Sequence, residues 1–212
     1  MKALIVVDAQ YDFFVVSKED YENGKGGALA VPDSPGIIPV INALLPKFDL
    51  IIFTKDWHPK NMSAFASNHK GKVPFDVYVN KNGVKDTLWP AHCVNNTRGA
   101  ELHDDINLDL IKGDFYIFKK GTKKNHHPYS GFGADGLEDF LKEKGVTETV
   151  ICGLATDYCV RDTVLDSVKK GFNTTVIWDG CRGIADDLTH TLNLFFNEGV
   201  NVIDLELFME KN

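Results

Sequence analysis

The stretch Thr149-Val150-Ile151-Cys152-Gly153-Leu154-Ala155-Thr156-Asp157-Tyr158-Cys159-Val160 changes character in its middle. Residues 149–154 are a continuous apolar, β-rich run, the pattern of a strand buried on both faces. From 158 to 170 the apolar residues Val160, Val164, Leu165 and Val168 recur at helical spacing, and Gly171 closes the segment as a helix stop. A buried strand feeding directly into a helix is the unit of a parallel sheet, because a parallel partner needs a long crossover. The same unit recurs on either side. Residues 3–7, 50–54, 115–118, 174–178 and 200–204 are further short apolar runs. Between them 37–47, 136–144 and 188–197 carry helical apolar faces, the last two closed by Gly145 and Gly199. The alternation predicts an α/β fold, a single domain over residues 1–212 with a mostly parallel six-stranded sheet and helices on both faces, in a Rossmann-like three-layer arrangement.

A chain of 212 residues can bury a full core without disulfides or a structural metal, so a metal here is free to serve chemistry. The net charge of -7 and the absence of a basic stripe argue against nucleic acid as a partner. The densest basic group, Lys119, Lys120, Lys123 and Lys124, is too small for a phosphate footprint. The apolar run at 3–7 is too short for a membrane span or a secretory signal. The four cysteines, Cys93, Cys152, Cys159 and Cys181, match no paired metal spacing, so they are expected as free thiols in the cytoplasm. Two stretches read as irregular, 11–35 and 57–96, and the second is long enough that a functional role is expected. The segment 17–25 carries no readable role.

In an open α/β sheet the ligand sits beyond the carboxyl ends of the strands. The residues found there are Asp8 after the first strand, Asp56 and His58 after the second, Lys120 after the third, and Ala155 and Cys159 after the fourth. An acid, a lysine and a cysteine at neighbouring strand ends make a nucleophilic constellation. Cys159 opens a helix, whose free amides and positive potential would favour a thiolate and could hold an oxyanion. Against this stands the ordinary fate of a cysteine, which is burial as a small apolar group, and that is the reading given to Cys93, Cys152 and Cys181. Asp8 alone could be a loop cap, and Lys120 alone a surface lysine with Lys119 as its competitor. Asp56 and His58 lie on one side of an extended chain, and His92 downstream could complete a catalytic metal site with open positions. His69, His126 and His127 fall in polar loops and are not read as ligands; His103 and His190 are read as surface residues.

Taken together, these segments resemble the nicotinamidases (pyrazinamidases) of the isochorismatase-like cysteine hydrolases. The resemblance is carried by Val6-Val7-Asp8-Ala9-Gln10-Tyr11-Asp12-Phe13, Gly26-Gly27-Ala28-Leu29-Ala30-Val31, Asp56-Trp57-His58-Pro59, Trp89-Pro90-Ala91-His92-Cys93, Lys120-Gly121, Tyr129-Ser130-Gly131-Phe132, the Gly153 to Val160 stretch, and Asp179-Gly180-Cys181-Arg182-Gly183. It runs from residue 3 to about residue 183 in the family order.

The resemblance implies a metal-dependent hydrolysis of nicotinamide to nicotinate and ammonia, feeding NAD salvage, with pyrazinamide as a further substrate. It implies Cys159 as nucleophile, Asp8 as acid and base, and Lys120 as the third member that lowers the thiol pKa. It implies an oxyanion hole from the amides of Ala155 and Cys159, with a cis bond between Leu154 and Ala155. Phe13, Trp89 and Tyr129 would line the pocket, since flat rings suit a flat pyridine. Asp56, His58 and His92 would hold one divalent metal ion, zinc ahead of iron or manganese. Some relatives add a histidine or glutamate after the Asp-x-His pair; here Pro59-Lys60-Asn61-Met62-Ser63-Ala64-Phe65 offers none, and methionine is a poor ligand for such a metal. The expected site is therefore three protein ligands and water. Homo-oligomerisation is left open. The rival readings are another isochorismatase-like amidohydrolase without the metal, or a non-catalytic relative.

Overall fold

A computed structural model of the chain describes residues 1–79, 83 and 85–211. The strands are β1 (Lys2–Val7), β2 (Leu50–Asp56), β3 (Val77–Val79), β4 (Lys85–Thr87), β5 (Asp114–Lys120), β6 (Glu148–Leu154), β7 (Asn173–Arg182) and β8 (Asn201–Ile203). The helices are α1 (Lys18–Glu22), α2 (Ile37–Leu44), α3 (Leu137–Glu143), α4 (Arg161–Lys169), α5 (Thr189–Asn197) and α6 (Leu205–Lys211). Six strands form one sheet in the order β5-β2-β1-β6-β7-β8, and all of its pairings are parallel. The six apolar runs of the sequence become these six strands.

The order explains the layers. From β1 the chain steps outward to β2 and β5, then returns past β1 to β6 and steps outward the other way to β7 and β8. Right-handed crossovers taken in opposite directions put their helices on opposite faces of the sheet. Thus α2, between β1 and β2, and α4, between β6 and β7, cover opposite sides. Helix α2 buries Ile37, Ile38, Ile41 and Leu44, which is the face its spacing predicts. Helix α4 buries Thr163, Val164 and Ser167. Ser167 Oγ reaches Thr149 Oγ1 at 2.7 Å and Thr174 Oγ1 at 2.9 Å, so these buried hydroxyls satisfy one another inside the core. The central strand β1 is buried from Ala3 through Val7.

Three local expectations change. The run at 115–118 is not buried on both faces: β5 is an edge strand, and Phe115 and Ile117 are 41% and 44% exposed. The stretch 57–96 is not structureless, since β3 and β4 pair antiparallel within it. The segment 17–25 holds the short exposed helix α1, whose Ser17 hydroxyl accepts the Asp20 amide at 3.1 Å as an N-terminal cap.

Strands β1 and β6 are neighbours at the point where the strand order reverses. Such a point opens a crevice at the carboxyl ends of the strands. Here Val7 pairs with Gly153, and on the other flank Asp56 pairs with Lys120. Gly153 has φ 126°, and a Cβ there would run into the Val7 carbonyl, so only glycine lets the two strands close at this level. The irregular stretches fold over the crevice. Asp12 ties them, its Oδ2 accepting the Cys93 amide at 2.7 Å and its Oδ1 the Ala28 amide at 3.3 Å. His103 is drawn from the surface into a partly buried stack on Tyr11, with ring centroids 4.5 Å apart.

Candidate active site

Asp8, Lys120 and Cys159 meet in the crevice. Each arrives from a different element: Asp8 leaves β1 with φ 47°, Lys120 is the last residue of β5, and Cys159 lies in a turn over 156–160 that precedes α4. Lys120 Nζ lies 3.0 Å from Asp8 Oδ2, 2.6 Å from Asp56 Oδ1 and 3.4 Å from Cys159 Sγ. All four side chains are buried. Asp8 Oδ1 accepts the Thr54 hydroxyl at 2.7 Å, and Thr54 Oγ1 in turn accepts the Asp8 amide at 3.2 Å. The Asp8 carboxylate is thus fixed by β2, its other oxygen faces the Lys120 ammonium, and the Cys159 thiol stands beside the same carboxylate. The competitor Lys119 points the opposite way and stacks its ammonium 3.9 Å from the Trp57 ring centroid. Successive residues of a strand face opposite sides, which settles the choice between the two lysines.

The second cluster stands beside the first and shares Asp56. His58 Nε2 lies 3.4 Å and His92 Nε2 3.9 Å from Asp56 Oδ2. His58 Nδ1 meets the Gly121 carbonyl at 2.9 Å, and His92 Nδ1 meets the Pro90 carbonyl at 2.7 Å. Each ring therefore donates from Nδ1 and turns a bare Nε2 inward, the orientation that metal-ligating histidines take. His58 Nε2 is buried without a hydrogen-bond partner. One carboxylate and inward imidazole nitrogens suit a divalent cation such as zinc, iron or manganese. The expected trio is joined by a fourth group: ligand atoms of Asp56, His58, His92 and His127 all lie within 4.8 Å of one another. His127 was not expected here. The chain after β5 turns back over the strand ends and carries the residue in, a long-range consequence of topology that its polar neighbours do not reveal.

A narrow cleft joins the two clusters. Phe13, Trp89 and Tyr129 line it as expected, together with Ala155 and Cys159. The rings brace one another: Trp89 Nε1 donates to Tyr129 Oη at 3.0 Å, and the Trp89 and Tyr158 centroids stand 5.0 Å apart, edge to face. Leu29, Tyr158 and Ile184 complete the wall. Asp157 holds Ile184 there, accepting the amides of Ile184 and Ala185 at 2.9 and 3.0 Å. The Leu154–Ala155 bond is cis, as expected.

A model of the isochorismatase domain matches residues 2–206. The chain belongs to the isochorismatase family. Within that family it is 43% identical to a nicotinamidase of Acinetobacter baylyi over 188 residues, 86% of this chain and 81% of that one. A solved nicotinamidase/pyrazinamidase of Acinetobacter baumanii superposes with a TM-score of 0.86 at 38% identity, covering 98% of this chain and 97% of the other. A pyrazinamidase of Pyrococcus horikoshii, solved in complex with zinc, superposes with a TM-score of 0.72 at 34% identity, covering 96% and 98%.

The charge states in this isochorismatase-family site follow from burial and from Lys120. Burial pushes the Asp8 carboxyl above its usual value, and the nearby Asp56 adds to this against the pull of Lys120. Asp56 is equally buried, yet Lys120 and His58 hold its carboxyl well below the usual range. Lys120 is held firmly protonated: burial opposes its charge, but Asp56, Asp8 and Cys159 outweigh it. The Cys159 thiol is pushed well up by burial, which Lys120 offsets only in part. Lys120 thus favours the thiolate, as the resemblance implies, while burial opposes it. Burial lowers His92 to about 4 and keeps His127 neutral as well.

One further residue was missed. Gln10 is fully buried; its Nε2 donates to the Asp56 carbonyl at 2.7 Å and the Ala100 carbonyl at 2.9 Å, and its Oε1 accepts the Asp56 amide at 2.8 Å. It clamps the backbone of the residue that both clusters share. A glutamine three positions after a strand carries no signal of its own beyond being polar in an otherwise buried segment.

Proposed function

We propose that this chain hydrolyses nicotinamide to nicotinate and ammonia, with Cys159 as the nucleophile and Asp8 and Lys120 as its partners. The observation that carries the reading is the convergence of the Asp8 carboxylate at 3.0 Å and the Cys159 thiol at 3.4 Å on the Lys120 ammonium, at the floor of a cleft walled by flat rings. As Cys159 Sγ bonds to the carboxamide carbon, its proton passes to Asp8. The raised Asp8 carboxyl suits this task, since an acid–base group works best when its pKa lies near the operating pH. The amides of Ala155 and Cys159 receive the oxyanion. Asp8 then returns the proton to the departing nitrogen, the carbon–nitrogen bond breaks, and ammonia leaves a nicotinoyl thioester. Water that gives its proton to Asp8 attacks the thioester, releases nicotinate and restores the Cys159 thiol. Lys120 keeps the whole site near charge balance while the proton moves.

Phe13, Trp89 and Tyr129 would grip the pyridine ring, and their mutual contacts would fix its plane. Asp56, His58 and His92 would hold a divalent cation, zinc first by the zinc-bound pyrazinamidase relative and by the donor set. When bound, that ion would supply a Lewis-acidic anchor for the ring nitrogen and take no part in redox. Pyrazinamide, with a ring nitrogen in the same place, fits as a second substrate. The reading places the protein in the cytoplasm, where its four free thiols would persist. No helix among the described residues is long and apolar enough to cross a membrane.

The test is ammonia release from nicotinamide by the purified chain, before chelation, after it, and after return of zinc. Release that falls on chelation and recovers supports the reading. No release with zinc, iron or manganese overturns it in favour of another amide substrate of the family.

A further inference from the structure

His127 stands apart from the expected metal residues in sequence but not in space. Its ring centroid lies 4.9 Å from that of His58 and 6.1 Å from that of His92. Its Nδ1 is buried and has no hydrogen-bond partner, as is His58 Nε2. Two bare imidazole nitrogens inside one cluster are costly, because a buried polar atom without a partner loses its hydration and gains nothing. The carbonyls that orient His58 and His92 account for their Nδ1 atoms only. The carboxylate that faces these imidazoles is that of Asp56, whose Oδ1 is already taken by Lys120. A cation placed among these atoms would satisfy all of them at once.

We propose that His127, through Nδ1, is a fourth protein ligand of the metal in this chain. The proposal rests on the metal-centre reading of Asp56, His58 and His92 and adds to it. It also explains how this chain manages without a ligand in the segment 59–65: the missing donor is supplied from the far side, by the loop after β5. That loop carries Pro128, whose carbonyl accepts from Lys120 Nζ at 3.4 Å, and Tyr129, whose hydroxyl accepts from Trp89. A metal bound through His127 would therefore pin the loop that holds both the catalytic ammonium and one wall of the cleft. With three imidazoles and one carboxylate offered by the protein, a substrate nitrogen would be a fifth donor to the ion.

The experiment measures zinc affinity of the full chain by competition with a chromophoric chelator, and counts imidazoles around the bound zinc by X-ray absorption. Wild type, His58→Ala and His127→Ala are compared, with thermal unfolding of the metal-free forms as the control for folding. Loss of partners that merely orient ligands costs roughly 10–100-fold in metal affinity. Loss of a ligand in His127→Ala should weaken zinc by more than that, and the imidazole count should fall by one. A His127→Ala protein with wild-type affinity and an unchanged count, while His58→Ala loses zinc, overturns the proposal and leaves the metal centre standing. A wild-type chain that binds no zinc, and no iron or manganese by the same competition, overturns both. Should His127→Ala unfold, His127→Gln read by the same absorption count decides: the count drops by one if the proposal holds and stays if it does not.

Discussion

Lys120 is fully buried against two carboxylates, so replacing it with methionine should reveal what that arrangement costs and supplies. Lys120→Met keeps the aliphatic stem and removes the charge that lies 2.6 Å from Asp56 and 3.0 Å from Asp8. Removing one partner of a buried ion pair typically destabilises by about 3–5 kcal/mol, because it strands the other charge. For a chain of this size about 1 kcal/mol corresponds to ~2–4 °C in Tm, so the loss should be roughly 6–20 °C. The pH dependence has a definite sign. In the wild type the depressed Asp56 contributes stability above its unfolded pKa, and this is lost only as pH falls through its low folded value. Lys120, with its pKa raised, keeps its contribution at neutral pH and loses it only as pH rises through that higher value. In Lys120→Met the carboxyl pKa values rise, so the penalty is full at neutral pH and shrinks on acidification as Asp8 and then Asp56 take up protons. Thermal unfolding of both proteins, with metal chelated, at a series of pH values reads this directly. Adding Asp8→Asn to Lys120→Met should recover part of the loss, a coupling of about 0.5–3 kcal/mol. A neutral-pH penalty below about 1 kcal/mol, against the roughly 3–5 expected, or a gap that widens toward acid, would refute the account of Lys120 as the buried counter-charge.

Three further outcomes follow from the same geometry. Burial pushes both the Cys159 thiol and the Asp8 carboxyl up, and in the proposed mechanism Asp8 must be ionised to take the thiol proton, so the acid limb of kcat/KM should lie above the ordinary carboxyl value of 3.8, and Asp8→Asn should lose about 10²–10⁴-fold in rate together with that limb. An acid limb at the ordinary value would show that another group titrates. Gln10→Ala strips three buried hydrogen bonds from the Asp56 and Ala100 backbone; it should cost about 1–3 kcal/mol in urea unfolding and weaken metal binding, although Gln10 touches no metal-ligand side chain. Wild-type metal affinity in that variant would remove Gln10 from the site. Gly153→Ala must place a Cβ against the Val7 carbonyl at φ 126°, so β1 and β6 must part and both stability and activity should fall; an unperturbed Tm would mean that the strand ends are looser than they look.

Much of this was legible because apolar runs buried on both faces can only be interior strands, and because the crevice of such a sheet lies at predictable strand ends. Asp8, Asp56, Lys120 and Cys159 were found by position for that reason. Lys120 and Lys119 could not be separated by composition; the alternation of a strand decides, and its phase is known only once Asp56 is seen to pair with Lys120. The exposure of Phe115 and Ile117 was not legible, since an edge strand and a central one share the same apolar composition. Gln10 and His127 were missed because their importance lies in partners at a distance: Gln10 in the backbone of Asp56, His127 in two imidazoles from other loops. The burial that opposes a thiolate at Cys159 was not legible either, because it comes from elements that pack over the strand ends.

The central claim is that Cys159 forms an acyl bond to the substrate. Rapid quenching of the wild-type chain with nicotinamide, followed by proteolysis and mass spectrometry, tests it most directly. The account predicts a nicotinoyl group on the peptide bearing Cys159, labile to hydroxylamine, present in Asp8 wild-type background during turnover and absent from Cys159→Ala. Turnover with no acylated Cys159 at any quench time, or undiminished ammonia release by Cys159→Ala, would contradict it.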